Sequence, residues 1–221
     1  MKYRPLCLRQ TRRRNRHPYA VQIIGLTGSI GMGKSTAARM IKSMRVAVFD
    51  ADATAHQLMG PNGKALSIIE ERFPGIVSSQ GVDRERLGDI VFRNATALYD
   101  LENILHPMIG KEKELFLRQH ALRRCRRVVL DVPLLFETGG ENRCDAVLVV
   151  TAPKFLQKQR VLDRVGMTSE KLASILSHQM PDQHKCRLAT TIVTSGLGMS
   201  VTWRKLRHAL VNDLRVIGKM G

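Results

Sequence analysis

Residues 25–40 read GLTGSIGMGKSTAARM, and Gly28-Ser29-Ile30-Gly31-Met32-Gly33-Lys34-Ser35 within them fit the pattern G-x-x-x-x-G-K-[ST]. Each residue type has a chemical reason to be there. Glycines let the backbone turn and bring successive N–H groups toward one point. Together with the positive end of a following helix, those groups make a nest for an anion. Lys34 can reach β- and γ-phosphate oxygens, and the Ser35 hydroxyl can ligate Mg²⁺. An apolar run precedes the loop and a helical pattern follows it, which is the context the motif requires. The loop is therefore expected to cradle a nucleoside triphosphate.

Holding ATP is not yet a reaction, and the next acids suggest one. The following apolar run ends in Asp50-Ala51-Asp52. On a parallel sheet this end shares an edge with the glycine loop, where open α/β sheets bind ligands. Two carboxylates there suit Mg²⁺ support and proton acceptance from an acceptor hydroxyl. One of them can instead cap the helix ATAHQLM, which fits Asp50 at least as well as Asp52. His56 lies one helical turn beyond Asp52, so both can face one cleft, although a lone histidine is more often structural. Asp131 closes the run VVLDV, either as a second magnesium-supporting acid or as a strand-end turn residue; Glu137 follows on the next loop. Arg160 and Arg164 fall at i, i+4 on one helix face, and arginine suits planar contact with phosphate. A helix–loop–helix carrying them reads as a lid that excludes water, against the plainer reading of a solvated basic face.

Five short β-branched runs must position these groups: VQIIGLT (21–27), VAVFD (46–50), VVLDV (128–132), AVLVVT (146–151) and TTIVT (190–194). They are continuous rather than alternating, as parallel strands covered on both faces are. Helical patterns separate them, which predicts a three-layer α/β fold with right-handed crossovers. Thr168 is placed to cap the segment bearing Leu172, Ile175, Leu176 and Met180, and residues 199–217 form a last helical pattern. Between Asp50 and Val128 there is only helical pattern: ALSIIEERF (65–73), DRERLGDIVFR (83–93) and ALYDLENIL (97–105), with a break expected at Pro107. This divides the chain into a core (21–58, 127–152 and 186–217), a helical insert (59–126), a lid (153–185) and a basic tail (1–20).

The chain has 221 residues and 43% hydrophobic residues, enough for a sizeable core. No run reaches the roughly 18 apolar residues of a membrane span. Cys7, Cys125, Cys144 and Cys186 are far apart and make no metal-ligand spacing, which suggests reduced thiols in a cytoplasmic protein. The formal charge is +17, but Lys2, Arg4, Arg9, Arg12, Arg13, Arg14 and Arg16 supply much of it before residue 20 with no acid between them. Such a block reads as a solvated, disordered tail, and its composition also resembles a transit peptide. Aromatic residues make up 5% and do not interleave with basic ones, so no specific nucleic-acid partner is expected. A nucleic-acid-binding NTPase using the tail is the rival of a different class.

IGLTGSIGMGKST, VFDADATAH, LHPMI, LDVPLLFETG, VLVVTAP and QRVLDRVGMT occur in an order that closely resembles the dephospho-CoA kinases. The resemblance runs from about Ile23 to Gly198. It implies a P-loop core, an inserted helical CoA-binding domain and a lid. The implied reaction transfers the γ-phosphate of ATP to the ribose 3′-hydroxyl of dephospho-CoA. By position, Gly31, Met32, Gly33, Lys34, Ser35 and Thr36 would bind the ATP phosphates. Asp52 would be the base, and Lys34 with an arginine of QRVLDR would stabilise charge. His106, in LHP, would lie in the acceptor-side helical region, or be only a helix-end residue before Pro107. Three stretches depart from the family pattern: the basic tail before Tyr19, which has no counterpart, His178 where relatives often carry arginine, and RLATTIVTSG where an acidic run is common. The rival within the enzymes is another P-loop small-molecule or nucleotide kinase.

Overall fold

The computed structural model describes residues 21–211, so the basic tail, Cys7 and the end of the last helical pattern lie outside it. Strand β1 (Gln22–Thr27) runs into the glycine loop and α1 (Lys34–Ser43), and β2 (Ala47–Asp50) runs directly into α2 (Ala51–Met59). Next come α3 (Leu66–Arg72), a hairpin of β3 (Val77–Ser78) and β4 (Gly81–Val82), α4 (Arg84–Arg93) and α5 (Ala95–Leu122). Then β5 (Arg127–Asp131), β6 (Ala146–Thr151), α6 (Lys154–Leu162), α7 (Ser169–Ser177), α8 (Asp182–Leu188), β7 (Thr191–Thr194) and α9 (Met199–Val211) complete the order.

The main sheet is parallel with strand order β2-β5-β1-β6-β7. Its continuous apolar runs follow from burial on both faces. Ile24, Leu26, Val129, Leu148 and Val150 pack on one side with Ala37 and Ile41 of α1 and Leu206 and Leu210 of α9. Their neighbours Ile23, Val128, Leu130, Val147 and Val149 pack on the other with Leu117 of α5 and Cys186 of α8. Alternate side chains thus serve opposite layers, and neither face is left to water. Leu58, Ile69, Phe73, Ile76, Leu87 and Leu105 form a separate apolar cluster among α2 to α5.

Two expectations are corrected here. The interval from Asp50 to Val128 does contain strands, the β3–β4 hairpin. Each strand has two residues, too few to show any period. The approach to the hairpin is fixed by the Glu70 carboxylate, which accepts from the N–H groups of Gly75 (2.7 Å) and Val77 (3.0 Å). Those two bonds hold the Glu70 pKa below its ordinary value against the opposing effect of burial. The second correction is at Pro107, which lies inside α5 and does not break it. Proline removes one intrahelical bond. Here that loss falls on the exposed side of the helix, while Leu105, Ile104 and Met108 pack into the apolar cluster and hold both halves in line.

Candidate active site

The glycine loop is held from below and open above. Gly31 and Gly33 have φ of 76° and 89°, a backbone region that favours glycine. A Cβ on Gly31 would lie 2.6 Å from Val161 Cγ2 and 2.9 Å from the Gln157 carbonyl oxygen. Gly33 is the N-cap of α1 and has no side chain to satisfy the first-turn amides, so these are left for an anion. Met32 takes a different part from its neighbours. Its side chain is buried, its sulfur accepts from Ala152 N–H at 3.1 Å, and its own N–H donates to Ser29 O at 3.1 Å. It anchors the loop and does not line the cleft.

Gly31, Gly33, Lys34, Ser35 and Thr36 line one cleft of about 520 Å³, and Asp52, Arg160 and Arg164 share its wall. Parallel pairing brings the acids to this edge: Asp131 is in register with Leu26 of β1 and with Asp50 of β2. Asp50 spends its side chain on the helix, with Oδ1 accepting from Ala53 N–H at 2.9 Å. That leaves Asp52, in the first turn of α2 and exposed, as the acid facing the phosphate loop. Asp131 is 3% exposed, and its Oδ1 accepts from Lys34 Nζ at 2.6 Å. Burial pushes its pKa up. Lys34 opposes that shift, and the charges of Asp50 and Asp52 add to it.

Residues after β6 bond to the loop. Arg160 Nη1 donates to Ser195 Oγ (3.0 Å) and to Gly31 O (3.4 Å), and Nη2 donates to Ser195 O (3.1 Å). Ser195 Oγ in turn donates to Met32 O at 2.7 Å. The peptide of Ile30 is gripped from two sides: Gln157 Nε2 donates to its carbonyl at 2.8 Å, and its N–H donates to Gln179 Oε1 at 3.1 Å. Arg164 does not share a helix face with Arg160, because α6 ends at Leu162. A following turn, Arg164 N–H to Val161 O at 3.1 Å, brings it to the same cleft while it stays exposed.

The Ser35 hydroxyl and the Asp52 carboxylate on this rim are hard oxygen ligands of the kind that Mg²⁺ takes, while Asp131 is paired with Lys34 and is not among the lining residues. Among the described residues no group of three or more histidine, cysteine or acidic side chains forms a metal cage.

The dephospho-CoA kinase family model matches residues 22–199, most of the chain. The chain belongs to the dephospho-CoA kinase family. A dephospho-CoA kinase of Rhodospirillum rubrum is 53% identical over 189 residues, 85% of this chain and 90% of that protein. One of Mesorhizobium japonicum is 47% identical over 193 residues, 87% of this chain and 96% of that protein. Among solved structures, TT1252 from Thermus thermophilus superimposes with a TM-score of 0.75 at 31% identity, covering 88% of this chain and 98% of that one. The dephospho-CoA kinase from Campylobacter jejuni shares the fold with a TM-score of 0.62 at 23% identity, with the same coverage.

Besides Met32, two of the expected site residues stand outside the cleft: His56 and His106 are exposed on α2 and α5 and are not among its lining residues. His178 is turned onto its own helix, Nδ1 lying 2.8 Å from Ser174 O. Glu137 is not among the cleft's lining residues. Its Oε1 accepts from Met180 N–H at 2.7 Å and pairs with Lys185 Nζ at 2.9 Å, with Lys185 fully buried. Gln157, Gln179, Ser195 and Lys185 escape a reading of the sequence alone. One of them leaves a trace: Gln157 lies four residues before Val161 on the inward face of α6, where a polar side chain needs a partner.

Proposed function

We propose that the protein transfers the γ-phosphate of ATP to the ribose 3′-hydroxyl of dephospho-CoA, the last step of coenzyme A synthesis. The observation that carries this reading is the single cleft in which Lys34 and the first-turn amides of α1 face Asp52 under Arg160. The amides and Lys34 hold the β- and γ-phosphates. The acceptor oxygen forms its bond to the γ-phosphorus as the bond to the β–γ bridging oxygen breaks, and Asp52 takes the hydroxyl proton. Arg160 and Arg164 offset the charge on the phosphoryl group in transit. Ser35, with Asp131 in support, would hold Mg²⁺, which would neutralise charge on the phosphate oxygens. Residues 59–126 would bind the acceptor, with His106 on their helical surface and His56 beside the base. Residues 153–185 would exclude water, so that ATP is not hydrolysed.

Among the described residues no helix is long and apolar enough to cross a membrane, and Cys125 and Cys186 are free thiols. We assign the enzyme to the cytoplasm, where thiols stay reduced. The test is an ATP-dependent assay on dephospho-CoA with product mass as the read-out, alongside a panel of small-molecule and nucleoside acceptors. Dephospho-CoA should gain one phosphoryl group, and Lys34→Ala should abolish this. Preference for another acceptor would replace this reading with the general small-molecule kinase.

A further inference from the structure

The turn after β7 meets the phosphate loop and α6 at one residue. Ser195 Oγ donates its single proton to Met32 O at 2.7 Å, which leaves its lone pairs to accept from Arg160 Nη1 at 3.0 Å. The Ser195 carbonyl accepts from Arg160 Nη2 at 3.1 Å, and its N–H donates to Thr151 O, at the end of β6, at 2.8 Å. Partners 163 and 35 positions away are thus joined through one small residue. The surroundings are close: a Cβ on Gly33 would lie 2.9 Å from Ser195 Oγ, and one on Gly196 would lie 2.8 Å from Pro153 Cδ. Arg160 is held by both terminal nitrogens, Nη1 reaching Gly31 O as well at 3.4 Å. Its Nε has no acceptor among the described residues, and Arg160 lines the phosphate cleft.

We infer that Ser195 is a positioning residue for phosphoryl transfer, a role that rests on the kinase reading of this cleft: it fixes the Arg160 guanidinium against the phosphate loop and leaves the Nε edge for phosphate oxygens. An unheld arginine must lose its rotamer freedom as it meets the group in transit, and that lowers the rate. A guanidinium already fixed avoids this, and a preset charge needs no reorganisation at the moment of transfer. Serine suits the position because its hydroxyl donates and accepts at once. Its proton goes to the loop carbonyl, so its oxygen is left to accept from the arginine. Alanine would break both links and keep only the backbone bond to Nη2. Ser195 acts through Arg160 and takes no part in the bond changes. The bond to Met32 O also offers a plainer role, anchorage of the loop. The two differ in what they change: anchorage shows in ATP affinity, and positioning shows in kcat.

The test is a double-mutant cycle on the full-length protein, with kcat, the KM for ATP and the melting temperature read for each member. Ser195→Ala should lower kcat by about 10- to 100-fold, the range that a lost hydrogen bond to a charged group spans. Its KM for ATP should change by less than about threefold, the mark of an interaction made in the transition state and not in the ground state. Once Arg160→Ala is in place, adding Ser195→Ala should lower kcat by less than about twofold, because there is no guanidinium left to position. Arg160→Met closes the same cycle if the alanine variant melts early. Three results overturn the inference: normal kcat in Ser195→Ala, an equal loss of kcat with and without the arginine, or ATP affinity falling as far as kcat, which makes Ser195 an anchor of the loop alone. Failure of the kinase reading shows elsewhere, as no turnover of dephospho-CoA by the parent protein. The cycle is then read on the acceptor that the parent does use, water included, with the same three results deciding.

Discussion

Asp131 is a carboxylate that burial makes harder to ionise. Burial raises its pKa, Lys34 counters this, and Asp50 and Asp52 push it up again. A carboxyl group whose folded pKa is raised binds its proton more tightly in the folded chain. Its ionisation therefore removes stability as pH climbs from the unfolded value through the folded one. Asp131→Asn should melt at the same temperature as the parent or higher near neutral pH, with the difference closing below about pH 4. Turnover should nevertheless fall at least tenfold, since Lys34 loses the oxygen 2.6 Å away that holds its ammonium group in place. Melting curves across pH, set beside turnover, check this; a variant clearly less stable at neutral pH would contradict it. Asp52 stands differently, exposed on the cleft wall, so Asp52→Asn should spare both stability and ATP affinity. Its kcat should drop by about 10²–10⁴, the usual loss on removing a general base, and near-normal kcat would remove it from that role.

Between elements, the segment after β6 is fastened by groups that no short motif reveals. Lys185 of α8 is fully buried against Glu137, which follows β5. Burial raises the Glu137 pKa, but the Lys185 bond and the Met180 amide outweigh it and leave it below the ordinary value. An acid with a depressed folded pKa stabilises the fold above its unfolded pKa of about 4.3, and that stability goes as pH falls through the folded value. Breaking a buried pair from one side costs about 3–5 kcal/mol. Lys185→Met should thus lower Tm by roughly 6–20 °C, and Glu137→Leu added to it should restore most of the loss; calorimetry on the single and double variants decides. The sequence makes such contacts hard to see because they join distant positions, as Gln157 and Gln179 do in reaching Ile30 across 127 and 149 residues. The five strands of the main sheet were readable for the opposite reason, since burial on both faces writes itself as an unbroken apolar run. The glycine loop was readable because phosphate chemistry fixes residue type and spacing within eight positions. The hairpin was too short to have a period, and Pro107 misled because α5 is held by packing on both sides of the lost bond.

The whole molecule has two kinds of interior. The sheet is sandwiched between two clusters that share its strands, so neither can open without the other. The third cluster, from Leu58 to Leu105, contains no residue of the main sheet and connects to the rest through α2 and the long α5. Stability is not uniform in such an arrangement, and units with few contacts to the main core open first. Backbone amides of residues 60–104 should therefore exchange with deuterium through openings of lower free energy than those of β1, β5 and β6. If this unit binds the acceptor, dephospho-CoA at about 100 times its Kd should stabilise it by about 2.7 kcal/mol and slow that exchange about a hundredfold. ATP alone should instead protect the phosphate loop and the segment from Lys154 to Leu188 that grips Ile30. Native-state exchange read by mass spectrometry separates the two patterns. Exchange of 60–104 only through global unfolding, or with no response to dephospho-CoA, would mean that the insert is neither an independent unit nor the acceptor's site.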